Sequence, residues 1–394
     1  MFIHLHDHSD LGSPRDSVAK IKKMLEKAKE NGMSALAITD HGSITSWVEF
    51  EQTAHDKGIG VKPIFGVEMY EADKEVKYYH SVFLAKNYEG CKFIHKMVTE
   101  SYNNFYVKPR YTLDWLKEHA DEARNNVIWL SACVQGRLPR MLQNNKNKEA
   151  ESYLQTMIDI FGKENVFVEV QNHGIPEEIS NLPKLAEIAK RFGVGIVATN
   201  DVHFVEKEDF LGRQIMLARD RKEVLDRNGM FVNRENFEAD KELYFKSETE
   251  MSRIFRDYPE AISNTQVIAD MCEDICLAGE YWHYPDCNIE DGSTPDEFLR
   301  KITFEEAPKH YEMTPEMIDR INMELETMKK TNASAYMLID RDFTVEAKKM
   351  MEVGPGRGSC CGSAVAKILG ITKIDPIKYD LYFERKRIAL VKQG

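Results

Sequence analysis

Hydrophobic and polar positions follow two alternating rhythms through the first half of the chain. Short apolar runs rich in β-formers at 2–6, 35–39, 61–70, 80–85, 127–133, 166–171 and 195–199 read as strands. Between the first two, Val18, Ile21, Leu25 and Ala28 recur at helical spacing. Asp16 or Ser17 is placed to cap that helix and Gly32 to end it. Similar amphipathic stretches cover 47–57 and 180–192. Strands alternating with helices predict an α/β fold of parallel construction, and seven strands suit a distorted, closed or nearly closed (β/α)7 barrel.

The pattern changes after about residue 205. Charged helical stretches at 247–257 and 259–274 predict a helical extension to the barrel, giving a first domain over 1–280. Residues 281–293, with Pro285, Gly292 and few periodic apolar positions, read as a linker. The remainder, 294–394, predicts helices at 296–302 and 317–330 and then a glycine-rich loop at 353–359. The chain shows neither an internal repeat nor a low-complexity tract.

Composition narrows the class. With 42% hydrophobic and 30% charged residues, the 394-residue chain has a globular make-up. Its longest apolar runs are far too short to span a bilayer, so no membrane association is expected. The start MFIHLHDHS lacks the basic and apolar regions of a signal peptide, which predicts a cytoplasmic protein. Seven irregularly spaced cysteines do not make a disulfide framework. The net charge of −12 argues against nonspecific nucleic-acid binding, but local basic patches and bound cations can override it.

Chemistry-bearing residues fall at the ends of the predicted strands. His6 and His8 end the first, Asp40 and His41 follow the second in ITDHG, and Glu68 closes the third. His80 begins the fourth, Cys133 ends the fifth, and Asp201 and His203 follow the seventh in TNDVHF. Each alone has an ordinary reading. An HxH pair is most often strand polarity, Asp-His-Gly a turn, and a lone cysteine a small buried hydrophobe. Recurrence at strand after strand is harder to dismiss, because a parallel barrel gathers all such ends at one rim. Imidazole, carboxylate and thiolate suit zinc, manganese or iron, and so many ligands point to more than one ion.

The strings HLHDHS, ITDHG, PIFGVEMY, LSAC and TNDVHF resemble the PHP domain (polymerase and histidinol phosphatase) at the head of C-family bacterial DNA polymerases, the polymerase III alpha family. That resemblance implies a PHP-type barrel with a trinuclear zinc or manganese site held by nine ligands. Carried over by motif, these are His6, His8, Asp16, His41, Glu68, His80, Cys133, Asp201 and His203. The loop before Asp16 is one residue longer than the common pattern, which leaves Asp10 as its alternative. His4, Asp40 and His173 are expected beside the ligands rather than among them. With no ligand lost, the resemblance implies a metal-dependent phosphoesterase, in the family a 3′–5′ exonuclease.

The loop VGPGRGSCCGS and the run AVAKILGITKIDPIKYDLYFER after it resemble the start of the same family's palm, so a partial α+β palm is expected over 294–394. Glycines before a helix allow close approach to phosphate. By the resemblance Arg357, Gly358 and Ser359 would bind the incoming nucleotide. The relatives continue from FER into a strand whose two aspartates hold catalytic magnesium, whereas this chain reads KRIALVKQG. Polymerisation by this polypeptide alone is therefore not expected. Implied partners are primed template DNA, dNTP, the remaining polymerase portion and replisome subunits. Two other readings compete: a stand-alone phosphatase of the histidinol-phosphate type, disfavoured by the palm-like segment, and a non-catalytic scaffold.

Overall fold

The computed structural model describes residues 1–56, 58–73, 77–228, 237–277, 284–285, 287, 289 and 291–383. The chain divides into two compact units, Met1–Ala278 and Gly279–Gly394.

The first unit is built on one curled, mixed sheet. Its strands are β1 (Ala35–Ile38), β2 (Lys62–Ala72), β3 (Tyr78–Ala85), β4 (Arg110–Tyr111), β5 (Val127–Leu130), β6 (Val166–Val170) and β7 (Gly195–Ala198). They lie in the order β1-β2-β3-β5-β6-β7, with the short β4 paired to β2. β1, β5, β6 and β7 are almost wholly buried, which is why they read as continuous apolar runs. Helices such as Ile21–Glu30 and Pro176–Phe192 lie outside and bury one stripe each.

Three expectations need correction. The run at 2–6 is not a regular strand but an extended segment that joins the two ends of the sheet. On one side the amides of Ala37 and Thr39 donate to His4 and Asp7 carbonyls; on the other, Val202 and His8 exchange bonds with His6 and Val202. These bonds carry His6 and His8 between both edges of the sheet. Second, the sheet is not all parallel, because β3 runs against both β2 and β5. Only residues 73–77 separate β2 from β3, too few for a crossover, so the two strands pair as antiparallel neighbours. Third, the helix Ile21–Glu30 starts four residues later than Ser17, and neither Asp16 nor Ser17 caps it. The Ser17 hydroxyl instead donates to the carbonyls of His8 and His203.

The second unit buries a separate apolar core around Leu299, Ile321, Met328, Met337 and Val365. Its described residues form helices and turns, chiefly Pro295–Glu306, Pro315–Lys330 and Ser334–Met350. Residues 281–283, 286, 288 and 290 of the expected linker, and the whole tail Lys386–Gly394, lie outside the described residues. Among the described residues no helix is long and apolar enough to cross a membrane.

Candidate metal centre

The antiparallel pairing of β2 with β3 decides where His80 goes. Because β3 enters the sheet at the rim where β2 leaves it, Tyr70 pairs with His80 and the strand's first turn faces Glu68. A parallel β3 would have carried His80 to the opposite rim. Glu68 itself lies within β2, which continues to Ala72, and Cys133 lies three residues beyond the end of β5.

All nine residues singled out as ligands gather at this rim. Glu68 is the hub: its carboxylate lies 2.6 Å from His41 Nδ1, 2.7 Å from His80 Nδ1, 3.5 Å from His6 Nε2 and 3.7 Å from His8 Nε2. Asp201 Oδ1 stands 3.0 Å from His8 Nε2 and 3.5 Å from both His6 Nε2 and His203 Nδ1. Asp16 Oδ2 reaches His41 Nε2 at 3.0 Å and His203 Nε2 at 4.0 Å. Cys133 Sγ is 3.8 Å from His80 Nδ1. Asp10 sits elsewhere, paired with Lys20. The His8 and His41 rings stack with centroids 4.0 Å apart.

Three triads have ligand atoms within 4.8 Å of one another: His8, His41 and His203; His6, His8 and Glu68; Glu68, His80 and Cys133. The residues fit bound cations on a second count. His6 Nε2, His8 Nε2, Asp16 Oδ1, His41 Nδ1, Glu68 Oε2 and Asp201 Oδ1 are buried and satisfy no hydrogen-bond geometry, although several stand within contact distance of one another, as His41 Nδ1 does 2.6 Å from Glu68 Oε2. Buried polar atoms are normally partnered, and a cluster of orphans all aimed at one another marks a place for ions. The floor is dry and the mouth is wet: His6 and His8 are fully covered, whereas Asp16 retains 29% exposure and Asp201 18%.

Acids and imidazoles also set one another's charge here. Burial opposes charge on His6 and His41, but Glu169 and Asp201 around the first, and Asp16 and Glu68 around the second, raise both pKa values well above the ordinary range. Burial likewise works against the Glu68 and Asp201 carboxylates, yet His80 and His41 for one, and His6 for the other, hold them ionised far below it. His203 is pushed by burial down to about 3, which leaves its imidazole neutral. Burial and then Glu68 drive the Cys133 thiol well up, so a thiolate there requires a cation.

Backbone strain is concentrated at the same rim. Asp201 and Ala132, the latter just before Cys133, hold φ values of 50° and 61°. A non-glycine residue there costs about 1–3 kcal/mol, offset by what surrounds the site.

Several supporting residues escaped the sequence reading. Glu169, on β6, accepts from His6 Nδ1 at 2.6 Å, and it is itself held by Thr199 and by Gln171 at 3.0 Å. Its position inside an apolar strand, VFVEV, was the available signal. Of the expected neighbours, Asp40 is saturated by the Ser9 amide, the Ser9 and Ser13 hydroxyls and Ser46. It pins the loop that carries Asp16. His173 is held by Glu178 and the Asn200 carbonyl, and His4 bonds the Lys246 carbonyl at 2.8 Å.

In the second unit, Arg357 and Gly358 are exposed and Ser359 is half-buried. Gly356 and Gly358 have φ of 116° and 68°, which explains why glycine occupies both positions. The amides of Ala364 and Val365, at the start of the short helix after the loop, donate to the buried Glu324 carboxylate at 2.9 and 3.1 Å. Those amides are taken by Glu324.

Residues 4–173 match the PHP domain family, and residues 297–386 match the bacterial DNA polymerase III alpha NTPase domain. Among similar curated proteins, the DNA polymerase III subunit alpha of Treponema pallidum is 35% identical over 398 residues, covering 98% of this chain and 33% of that one. That of Borreliella burgdorferi is 36% identical over 402 residues, with coverages of 98% and 34%. The Thermus aquaticus subunit is 32% identical over 459 residues, with coverages of 98% and 37%. The chain thus spans about a third of the length of the curated relatives it matches.

Proposed function

Because the chain joins a PHP domain to a segment of the bacterial DNA polymerase III alpha family, we propose that its rim cluster is a multinuclear metal centre that hydrolyses phosphodiesters at a 3′ DNA end. The observation that carries this reading is the set of buried, unbonded ligand atoms facing one another across the rim.

His6, His8, Asp16, His41, Glu68, His80, Cys133, Asp201 and His203 would hold the ions, three of them by the three triads, with zinc or manganese suited to this mixture of nitrogen, oxygen and sulfur. Bound divalent cations supply Lewis-acid activation of water and neutralise phosphate charge. The chain's own residues do the rest. Glu169 takes the His6 Nδ1 hydrogen and so presents Nε2 with its lone pair to the centre. Glu68 holds four imidazoles at once and fixes their spacing. The partly exposed Asp16, His41, His80 and Asp201 line the mouth through which a phosphodiester would enter.

In the complete polymerase, the loop at Arg357, Gly358 and Ser359 would receive the nucleotide triphosphate, with magnesium, primed template and replisome subunits as its partners. The match at 297–386 favours this setting over a stand-alone small-molecule phosphatase. The test is digestion of a 5′-labelled single strand by the purified chain loaded with zinc or manganese. Shortening from the 3′ end that stops on chelation supports the reading; an intact strand in the presence of bound metal overturns it.

A further inference from the structure

Next to the metal centre a loop displays aromatic and basic side chains that the site itself does not use. Residues 104–110, NFYVKPR, turn back on themselves through the bridge between Tyr106 and Lys108. Val107 at the tip has φ 67°, a conformation a β-branched residue rarely adopts. Phe105 and Tyr106 are 57% and 55% exposed, and Phe105 stacks on the equally exposed Tyr102.

The loop leans directly on the centre. Lys108 Nζ lies 3.2 Å from the Tyr70 hydroxyl and 5.0 Å from its ring centroid. That same ring lies 6.1 Å from the His41 ring and 5.2 Å from the His80 ring. A Cβ on Gly42, beside His41, would stand 3.2 Å from Pro109. The Arg110 guanidinium sits 5.1 Å over Tyr106 and donates to the carbonyls of Asn104 and Lys77. Among the described residues neither Lys108 nor Arg110 faces a carboxylate in an ion pair.

We propose that Phe105, Tyr106, Lys108 and Arg110 form a holding surface for single-stranded DNA, on which bases stack while the two cations meet the backbone phosphates leading to the metal centre. This rests on the phosphodiesterase reading for its purpose but on the loop alone for its binding. Exposed aromatics interleaved with cations that face no carboxylate are the chemistry that grips single strands without regard to sequence. A duplex keeps its bases stacked inside and offers these rings no face beyond that of its terminal pair, so the surface favours frayed or unpaired ends.

Binding is measured by the anisotropy of a 5′-labelled oligothymidylate on the whole chain, with chelator present, so that the outcome does not depend on metal or cleavage. Wild type should bind the single strand more tightly than a duplex of equal length. Tyr106→Ala and Phe105→Ala should each weaken it on the order of tenfold. Lys108→Ala should weaken it and flatten the salt dependence by about one phosphate contact. Tyr88→Ala, which removes an exposed ring with Lys92 5.0 Å above it near the other end of β3, serves as the control and should leave binding unchanged. Equal binding by wild type and the loop variants, a preference for duplex, or no binding at low salt overturns the proposal. Loss of cleavage with this binding pattern intact would instead count against the metal reading.

Discussion

His6 Nδ1 and Glu169 Oε1 lie 2.6 Å apart beneath the rim cluster, both fully buried. With the carboxylate accepting, Nδ1 keeps the ring hydrogen and Nε2 is left facing Glu68 and Asp201. Glu169→Gln preserves the volume but loses the charge that makes the imidazole a strong donor. Metal affinity, followed by competition with a chelator, should fall about 10–100-fold with the fold retained. Unchanged affinity would show that Glu169 only fills space.

His41 separates two carboxylates, Asp16 at 3.0 Å and Glu68 at 2.6 Å. His41→Ala should abolish metal-dependent cleavage and lower stability by about 1–3 kcal/mol, because Glu68 loses its nearest imidazole and Asp16 keeps only His203, 4.0 Å away. Denaturant unfolding checks the second part. A variant as stable and active as wild type would remove His41 from the centre.

Gly12 is required by the serine cradle around Asp40. A Cβ there would meet Asp40 Oδ2 at 2.1 Å, and the hydroxyls of Ser9 and Ser13 keep that carboxylate from turning aside. Gly12→Ala should cost about 1–3 kcal/mol and displace the loop that carries Asp16. Thermal melting and ion counting on the same sample should both drop; a loss in neither contradicts the cradle's role.

Glu250 gives a pH dependence independent of the metal. Partial burial pushes its carboxyl up, but the Ser247 amide, the Tyr244 hydroxyl and the Ser247 hydroxyl outweigh that and bring it down to about 2. A depressed acid contributes stability above its ordinary value of 4.5, and that contribution fades as pH falls toward 2. The Tyr244 carbonyl in turn accepts from Asn200, next to Asp201. Wild type should therefore exceed Glu250→Gln by about 1 kcal/mol at neutral pH, and the gap should close in acid. A gap constant from pH 7 to pH 3 would refute the assignment.

Much of the site was legible in the sequence because strand ends impose their own order. His41 after β1, His80 at the start of β3 and Asp201 after β7 each sit at a boundary between an apolar run and a polar turn. What stayed hidden was whatever depends on partners far away in the chain. The direction of β3 follows from a connection too short to cross over, which the sequence contains but a uniform parallel reading passes by. The helical pattern makes Asp16 a cap and the family resemblance makes it a ligand; only the folded loop, pinned by Asp40, brings it to His41. Glu169 and Glu324 look like interruptions in apolar or helical stretches until His6 and the amides after Ser363 are seen against them.

Element analysis of the purified, dialysed chain tests the central claim most directly. The account predicts two or three equivalents of zinc, manganese or iron per chain, lost in parallel from His41→Ala and Asp201→Ala. A chain that holds no divalent metal, and takes up none when zinc and manganese are supplied, would contradict it.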